Sequence, residues 1–237
     1  MDYIIAIPSY KRATALKTHT LKVLNDVPKE KIFIFVANDE EHEEYKTILP
    51  EYNIIVGLEG LLNQRNYISH YFPLGTKIVS MDDDIQGIFN KEFEEVDIES
   101  IILKGFEECD KSGSRIWAVY PVLNKLFMKN TITTDFRFLV GNFFGYINSN
   151  IDTTITEKDD YERSILYYLR DNIIIRFNYI SIKTKYYKMQ GGLQSNKDRM
   201  KDQLIAVNYL LEKYPTFLAR KKSFKSGYPE LRCIKQK

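Results

Sequence analysis

The sequence predicts an α/β fold in which helices flank a mostly parallel sheet. Short apolar runs rich in β-branched residues alternate with segments of helical period through residues 1–85. Polar residues directly follow three of these runs, and ligands bind at that position in open parallel sheets. The rest of the chain has a less regular pattern, which predicts a mixed half beside the first.

Four apolar runs in the first half have the length of buried parallel strands. These runs are "YIIAI" (3–7), "IFIFV" (32–36), "NIIVG" (53–57) and "KIVSM" (77–81). Residues at helical spacing predict two helices between them. The first helical face carries Ala13, Leu16, Thr20 and Val23, and the second carries Leu61, Arg65, Ile68 and Phe72.

The second half predicts three strands and two helices. The strands are residues 116–120, 136–147 and 173–182, and the helices are residues 159–170 and 198–214. Gly141 and Gly145 interrupt the middle strand, which predicts a hairpin or a bend there.

The composition argues against a general polyanion binder and against a membrane protein. There are 34 basic and 32 acidic residues, for a formal charge of +2, and no run approaches the ~20 apolar residues that span a bilayer. Residues 213–237 contain eight Lys or Arg and one Glu. This uneven end is typical of a solvated terminus, with a basic patch as the alternative.

The cysteine content predicts a reducing, intracellular (cytoplasmic) protein. Cys109 and Cys233 cannot build a disulfide framework, and the N-terminus has no secretory signal pattern. Neither these cysteines nor the three histidines have the spacing of metal ligands or of a nucleophile and its base. Abundant Ile, Lys, Asn, Tyr and Phe indicate an AT-rich genome, such as that of a virus or phage.

Three consecutive carboxylates, Asp82, Asp83 and Asp84, follow the fourth apolar run. Grouping them without a counter-charge raises their pKa values, and a hard divalent cation removes that cost. On an extended stretch Asp82 and Asp84 face the same way, so both can address one ligand while Asp83 faces elsewhere. The alternative is a solvated acidic turn.

A second acidic pair, Asp159 and Asp160, begins a predicted helix. Carboxylates at a helix start stabilise its free amides, so this pair can be structural. Together with the first acidic cluster, it indicates one group suited to metal and one suited to proton transfer.

Three further segments carry candidate ligand-binding residues. "IPSYKR" places Pro8, Ser9 and Arg12 beyond the first strand, with an ordinary capped turn as the alternative. Arg65 lies on an otherwise apolar helix face and must meet either an internal carboxylate or a bound anion. In "YYKMQGGLQSNKDR" (186–199), Lys188 could approach a diphosphate, or the segment is a plain surface loop.

In order, these motifs resemble those of GT-A-fold glycosyltransferases over roughly residues 3–195. Within that superfamily the chain looks most like the TET/JBP-associated glycosyltransferases, which are inferred to modify hydroxymethylated pyrimidines in DNA. The motifs are "AIPSYKR", "VANDEEHEEY", "GLLNQRNYI", "VSMDDDI", "GNFFGY" and "EKDDYERSILYYLR". The resemblance implies a GT-A-like (Rossmann-like) sheet with a mixed acceptor-side half.

The resemblance also implies roles for individual residues. Asp82 and Asp84 match a DxD motif, with Asp84 as the surer metal ligand, and Asp160 is the first choice for general base, with Asp159 second. Donor-binding residues would be Pro8, Ser9, Tyr10, Arg12, Asp39, Arg65, Asp82, Asp83 and Lys188. No His follows His70, so the late metal-ligating His of many GT-A enzymes is missing, and Gln190 or water would replace it.

The resulting hypothesis is a metal-dependent, inverting glycosyltransferase that uses Mn²⁺ or Mg²⁺ and a nucleotide-sugar donor, by resemblance a UDP-sugar. We interpret residues 1–237 as one domain, with a nucleotide-sugar-binding half (1–90), an acceptor and catalytic half (91–200) and a C-terminal helix with a basic tail (201–237). The acceptor implied is DNA with hydroxymethylated bases, and a protein, glycan or metabolite stays open.

Two other classes stay open at this point. In a haloacid-dehalogenase-type phosphatase, Asp82 would be the nucleophile and Asp84 the acid/base. That motif normally follows the first strand of its sheet, whereas three predicted strands precede it here. A catalytically silent nucleic-acid-binding module would use the basic C-terminal end and leave both acidic clusters without a purpose.

Overall fold

A computed structural model describes residues 3–184, 198–222 and 227–236. The strands are β1 (Ile4–Pro8), β2 (Ile32–Val36), β3 (Asn53–Val56), β4 (Lys77–Met81), β5 (Gly87–Asn90), β6 (Ile116–Tyr120), β7 (Ile132–Thr133), β8 (Phe143–Ile147), β9 (Ile175–Lys183), β10 (Leu218–Arg220) and β11 (Leu231–Cys233). The helices are α1 (Ala13–Thr18), α2 (Thr20–Val23), α3 (Asp39–Ile48), α4 (Leu61–Tyr71), α5 (Ile98–Ser112), α6 (Asp159–Asp171) and α7 (Arg199–Lys213).

Within these described ranges, nine strands form one sheet in the order β3-β2-β1-β4-β8-β6-β9-β5, with β7 paired to β9. Strands β1 to β4 are parallel, as are β6 and β9, while β8 is antiparallel to both β4 and β6. The remaining strands β5 and β7 run antiparallel to β9, so six of the nine strands share one direction. The predicted α/β class with a mostly parallel sheet is confirmed.

Alternate residues of each strand bury against helices on opposite faces of the sheet. In β1, Ile5 and Ile7 join a core with residues from α1, α2, α3 and α5. Ile4 and Ala6 join a second core with residues from α4, α6 and α7. Because both faces are covered, the central strands are apolar throughout, as the four runs of the first half indicate.

One of the predicted helices is divided into two short helices in the structure. The face expected from Ala13 to Val23 divides at His19 into α1 and α2. Directly after the break, the Thr20 hydroxyl donates to the carbonyl of Asp82 at 2.8 Å and accepts from the amide of Ile85 at 3.0 Å. The second short helix thus holds the turn that follows β4.

The prediction of a hairpin or bent strand over residues 136–147 is wrong. Only residues 143–147 form a strand, and residues 137, 138 and 140–142 line a cleft instead. At Gly141 the backbone of this irregular segment lies close against two side chains. A Cβ there would be 3.1 Å from Cβ of Asp160 and 3.3 Å from Nη1 of Arg65.

Trp117 depends on two glycines for its place in the core, which makes the fold sensitive to Gly145. A Cβ on Gly145 or Gly105 would stand 2.3 Å from the indole ring of Trp117, which is fully buried. We expect Gly145→Ala to destabilise the protein by about 1–3 kcal/mol, the usual cost of overpacking a core. Urea denaturation measures this loss. The double variant Gly145→Ala/Trp117→Phe should recover part of it, and additive effects of the two substitutions would show that the indole ring is not the cause.

Candidate active site

A cleft of about 1020 Å³ opens along the carboxyl ends of β1, β2 and β4. Its first wall is formed by the segments that follow the first four strands, namely residues 8–10, 12, 37, 58–61, 64, 65 and 82–84. Its second wall is formed by residues 120–122, 127, 137, 138, 140–142, 156–161, 176, 184, 199, 203, 221 and 230–233. The polar residues that follow β1 and β4 therefore share one cavity with the start of α6.

Asp83 is held inside the first wall. Its side chain accepts a 2.7 Å hydrogen bond from the Ser9 hydroxyl and a 3.1 Å bond from the Arg12 guanidinium. The Ser9 hydroxyl also bonds the phenol of Tyr45 at 2.7 Å. Asp83 and Ser9 are both buried. These contacts give Ser9, Arg12 and Asp83 a structural task at the floor of the cleft.

Asp82 and Asp84 flank Asp83 and face the cleft. Asp82 accepts from Arg65 at 3.0 Å, and about a third of its side chain, 35%, is exposed. Asp84 accepts from the Thr184 hydroxyl at 2.8 Å and lies 3.9 Å from Arg12. Residues 83 and 84 form a turn rather than the extended stretch expected, and Nη1 of Arg12 lies 3.1 Å from Asp83 and 3.9 Å from Asp84.

Two arginines therefore offset the mutual repulsion of the three carboxylates. Arg65 lies beside Asp82, and Arg12 lies beside Asp83 and Asp84. The compensation of Asp82 is incomplete. Burial, followed by repulsion from Asp84 and Asp83, raises the pKa of Asp82 to about 7, although Arg65 opposes this shift. A group in this state gains from a further positive charge in the cleft.

Arg65 connects the two acidic clusters. It lies on α4, and its Nη1 donates to Asp159 at 2.7 Å, while its Nη2 donates to Asp82 at 3.0 Å and to the carbonyl of Gly141 at 2.6 Å. Its side chain is only 7% exposed. The sequence left open whether Arg65 meets an internal carboxylate or a bound anion, and it meets two carboxylates.

The acidic pair at the start of α6 is divided into two different environments. Asp159 is buried between the guanidinium groups of Arg65 and Arg163. Burial alone would raise the pKa of Asp159, but these two cations outweigh it and hold the pKa below its usual value. Asp159 is therefore a fixed anion that orients both arginines.

Asp160 has no such cation pair and faces the cleft. Its side chain accepts from the amide of Tyr161 at 3.0 Å. Burial and the negative charge of Asp159 raise the pKa of Asp160 to about 6. Neither aspartate is the N-cap residue, which is Lys158 in a left-handed conformation with φ 62°. A carboxylate that titrates near neutral pH is suited to accept a proton.

The donor set of the first wall fits a divalent cation that is shared with a substrate. Among the described residues, no group of three His, Cys, Asp or Glu side chains is arranged to hold a metal ion. Mg²⁺ and Mn²⁺ sites that include substrate phosphates need only one or two protein carboxylates. Asp82 and Asp84 meet that requirement, whereas a site built from protein ligands alone is not formed in the described part of the chain.

Most of the predicted site residues line this one cleft. They are Pro8, Ser9, Tyr10, Arg12, Arg65, Asp82, Asp83, Asp84, Asp159 and Asp160. Asp39 does not line it and lies exposed in the first turn of α3. Lys188 and Gln190 lie outside the described residues.

The cleft also contains residues that sequence reasoning missed. Arg163 stands one helical turn after Asp159, a spacing at which opposite charges meet. Arg176 interrupts the apolar run "IIIRFNYI" in the same way that Arg65 interrupts its helix face. Both positions carried a usable signal. By contrast, nothing in the sequence indicated Arg137 or Phe138.

Several side chains of the basic C-terminal end pack or form ion pairs within the fold. The ring of Phe217 packs edge-on against that of Phe136, with centroids 5.1 Å apart. Lys213 pairs with the buried Glu162 at 3.0 Å, and Lys221 pairs with Glu230 at 2.8 Å at the edge of the second wall. Cys233 also lines this wall, and burial raises its pKa to about 12, which makes it a poor nucleophile at neutral pH.

No protein-family profile matches the chain, and no curated protein sequence matches it. In the described part of the chain, no helix is both long and apolar enough to cross a bilayer. Among solved structures, the chain is similar to a mycobacterial protein at 6% identity and a TM-score of 0.56, over 98% of this chain and 83% of that one.

Two named enzymes are more distant. CMP:2-keto-3-deoxy-manno-octonic acid synthetase complexed with CTP has 9% identity and a TM-score of 0.49, over 89% of this chain and 98% of that one. A 4-diphosphocytidyl-2C-methyl-D-erythritol synthase from Anaerococcus prevotii has 10% identity and a TM-score of 0.45, over 87% of this chain and 97% of that one. Similarity at this distance does not bear on activity. The similarity to the mycobacterial protein concerns the α/β fold alone.

Proposed function

We propose that this chain is a metal-dependent, inverting glycosyltransferase that moves a sugar from a nucleotide-diphosphate sugar, with a UDP-sugar as the first candidate, to an acceptor hydroxyl. One arrangement carries the proposal. Asp82 and Asp84 on the first wall and Asp160 on the second wall face the same cleft of about 1020 Å³. This volume is at the upper end of the range for small-molecule sites.

The first wall supplies the donor side. Asp82 and Asp84 would hold Mn²⁺ or Mg²⁺, which when bound would neutralise the charge of the departing diphosphate. Ser9 and Arg12 keep Asp83 turned inward, which leaves the outer two carboxylates available to the cleft. Pro8 and Tyr10 line the same wall, next to the end of β1.

Asp160 on the second wall acts as the general base. It accepts the proton of the acceptor hydroxyl while the hydroxyl oxygen attacks the anomeric carbon. The bond from that carbon to the diphosphate breaks in the same step, and the diphosphate leaves with the electron pair. A single displacement of this kind inverts the anomeric configuration.

Asp160 suits the role of base better than Asp159, because Asp159 is occupied by two arginines. Arg65 and Arg163 both donate to the same oxygen, Oδ2 of Asp159, and lower the proton affinity of this carboxylate. Asp159 is therefore a positioning residue that acts through Arg65. The pKa of Asp160, raised to about 6, lies close to neutral pH, which suits a general base.

For the acceptor we keep hydroxymethylated pyrimidine in DNA as the first candidate, on the sequence resemblance alone. A protein or a glycan is the second. The test supplies UDP-glucose and other donors with Mn²⁺ and DNA that contains hydroxymethylcytosine, hydroxymethyluracil or only ordinary bases. Mass spectrometry of the nucleosides then detects transferred sugar. Donor hydrolysis without any DNA product would reject DNA as the acceptor.

A phosphatase of the haloacid-dehalogenase type is less well supported. In that class the aspartate after the first strand attacks phosphorus, whereas Asp82 follows β4, the fourth strand along the described chain. Incubation with p-nitrophenyl phosphate and Mg²⁺ measures this activity directly. Phosphate release together with inertness toward every nucleotide sugar would favour the phosphatase.

Replacing Asp84 by asparagine is expected to raise the Mn²⁺ concentration for half-maximal turnover by roughly tenfold or more, since hard cations require anionic ligands. The thermal midpoint should stay near that of the wild type, because Asp84 is not part of the buried pairs of Arg65. A matched control is Asp152→Asn, which neutralises an exposed aspartate that contacts His70 at 3.0 Å. An unchanged Mn²⁺ dependence in Asp84→Asn would remove Asp84 from the metal site.

A further inference from the structure

The second wall carries two arginines, Arg137 and Arg176, and Arg176 bonds the carbonyl of Phe138, the residue that follows Arg137. Burial, followed by the like charge of Arg137, lowers the pKa of Arg176 to about 10. The contacts of Arg176 are with neutral groups. Its Nε donates to Oδ1 of Asn178 at 2.8 Å, its Nη1 donates to the carbonyl of Phe138 at 3.1 Å, and its guanidinium lies 5.1 Å from the ring centroid of Tyr120.

Positive charge is in excess at this point. Asp135 is fully engaged by Arg137, through bonds of 2.6 Å and 2.9 Å. Within the described residues, Arg176 has no carboxylate at ion-pair distance. In the part of the chain that the structure describes, one carboxylate thus serves two guanidinium groups, and a bound anion would compensate the second.

The arginine pair lies on the same side of the cleft as Asp160. Phe138 links the two, because its carbonyl accepts from Arg176 while its ring stacks on Tyr161 at 4.3 Å between centroids. An anion at Arg176 would therefore stand near the general base of the proposed reaction.

We propose that Arg137 and Arg176 form a subsite for a phosphate group carried by the acceptor. The assignment of this phosphate to the acceptor rests on the proposed function, whereas phosphate binding by the two arginines does not. The bonds described above engage Nε and Nη2 of Arg137 and Nε and Nη1 of Arg176. Nη1 of Arg137 and Nη2 of Arg176 are left to donate to phosphate oxygens, and such charge-assisted bonds are the strong ones. Val122 and Phe127 line the same cleft and are 52% and 60% exposed, which offers an apolar surface to the group that carries the phosphate.

The test is a set of calorimetric titrations on the full chain, with phenyl phosphate and with a short single-stranded oligonucleotide as probes. The variants are Arg176→Met and the matched control Arg170→Met, which removes an arginine near the other end of α6 that is 35% exposed and lies 3.7 Å from Asp171. We expect Arg176→Met to weaken phenyl phosphate binding by about tenfold or more. Arg170→Met should leave it unchanged.

Two controls distinguish loss of the phosphate subsite from loss of the fold and from loss of donor binding. Arg176→Met is expected to lower the thermal midpoint, because Oδ1 of Asn178 and the carbonyl of Phe138 lose their donor, so the titrations are made at a temperature at which circular dichroism shows the variant folded. Phenyl phosphate should raise the midpoint of the wild type and leave that of Arg176→Met unchanged. UDP affinity in the presence of Mn²⁺ should stay unchanged, since the donor side lies on the first wall. Tighter binding of the oligonucleotide than of phenyl phosphate would identify a nucleic acid as the source of the phosphate, and the reverse would identify a small molecule.

The subsite is overturned if the wild type binds neither probe at millimolar concentration, or if Arg176→Met binds both as the wild type does. If Arg176→Met lost as much affinity for UDP as for phenyl phosphate, Arg176 would belong to the donor side instead. If the titrations come out as expected but no donor sugar is transferred to any acceptor, the phosphate subsite stands and the glycosyltransferase proposal fails.

Discussion

Replacing Asp160 by asparagine is expected to lower turnover by a factor on the order of 10² or more, while nucleotide-sugar affinity stays near the wild-type value. The reason is that a carboxamide cannot accept the proton of the acceptor hydroxyl. Asp160 makes no ion pair in the described structure, so its neutral replacement leaves the donor side intact. Steady-state kinetics give kcat, and a direct titration gives donor affinity.

The same substitution should not destabilise the protein at neutral pH. The folded-state pKa of Asp160, about 6, lies above its ordinary value. The ionised form is therefore unfavourable in the folded state, and this unfavourable contribution is present above pH 6 and disappears as the pH falls. Asparagine resembles the protonated acid, so the thermal midpoint at pH 8 should stay constant or rise. A large fall would indicate a structural cap instead of a base.

The pH dependence of the wild type gives an independent check on the base. Below pH 6 Asp160 binds a proton and can no longer accept one, so kcat should fall about tenfold for each further pH unit. Asp159→Asn is the matched control, because it removes the neighbouring carboxylate. We expect it mainly to lose stability, since Arg65 and Arg163 lose their shared anion. A selective loss of kcat in Asp159→Asn, with Asp160→Asn active, would move the base by one residue.

Replacing Arg65 by methionine is expected to cost about 3–5 kcal/mol of unfolding free energy, as removal of one partner of a buried pair does. The change leaves Asp159 with Arg163 alone and Asp82 without its cation, both beside Asp160. Urea denaturation at pH 7 measures the loss. Arg170→Met is the matched control on an exposed arginine, and we expect it to change stability by about 0.5 kcal/mol or less.

Two further measurements show whether charge causes the effect of Arg65→Met. Without Arg65, the pKa values of Asp82 and Asp159 must rise, so the loss of stability should shrink as the pH falls and these carboxylates bind protons. The double variant Arg65→Met/Asp159→Asn should recover part of the loss. A loss that is the same at pH 5 and pH 8, with no recovery in the double variant, would point to packing rather than charge.

The strands of the first half could be predicted from the sequence because burial on both faces leaves a continuous apolar signal. The runs 32–36 and 77–81 coincide with β2 and β4. Helices α3 and α5 were not predicted, although capping signals were present. Asn38 accepts from the amide of Glu41 at the start of α3, and Asp97 does the same for Ser100 at the start of α5.

The candidate site was less predictable, because its central contacts join distant parts of the chain. Residue types and spacing brought forward Asp82, Asp84, Asp159 and Asp160, since grouped carboxylates need compensating charge. Arg65 bridges the two clusters although it is 17 residues from Asp82 and 94 residues from Asp159 in the sequence. This contact depends on tertiary packing and could not be predicted. For the same reason, the irregular path of residues 136–142 could not be distinguished from a strand, since its apolar residues resemble those of one.

The central claim is that the first wall binds a nucleotide-diphosphate sugar together with a divalent cation. Titration of the full chain against a panel of nucleotide-diphosphate sugars, each with Mn²⁺ and with EDTA, tests this most directly. We predict that one base class, with UDP-sugars first, binds with micromolar to low-millimolar affinity, and that EDTA and Asp84→Asn each weaken that binding markedly. Absence of binding by every nucleotide sugar with Mn²⁺, from a sample shown to be folded, would contradict the claim.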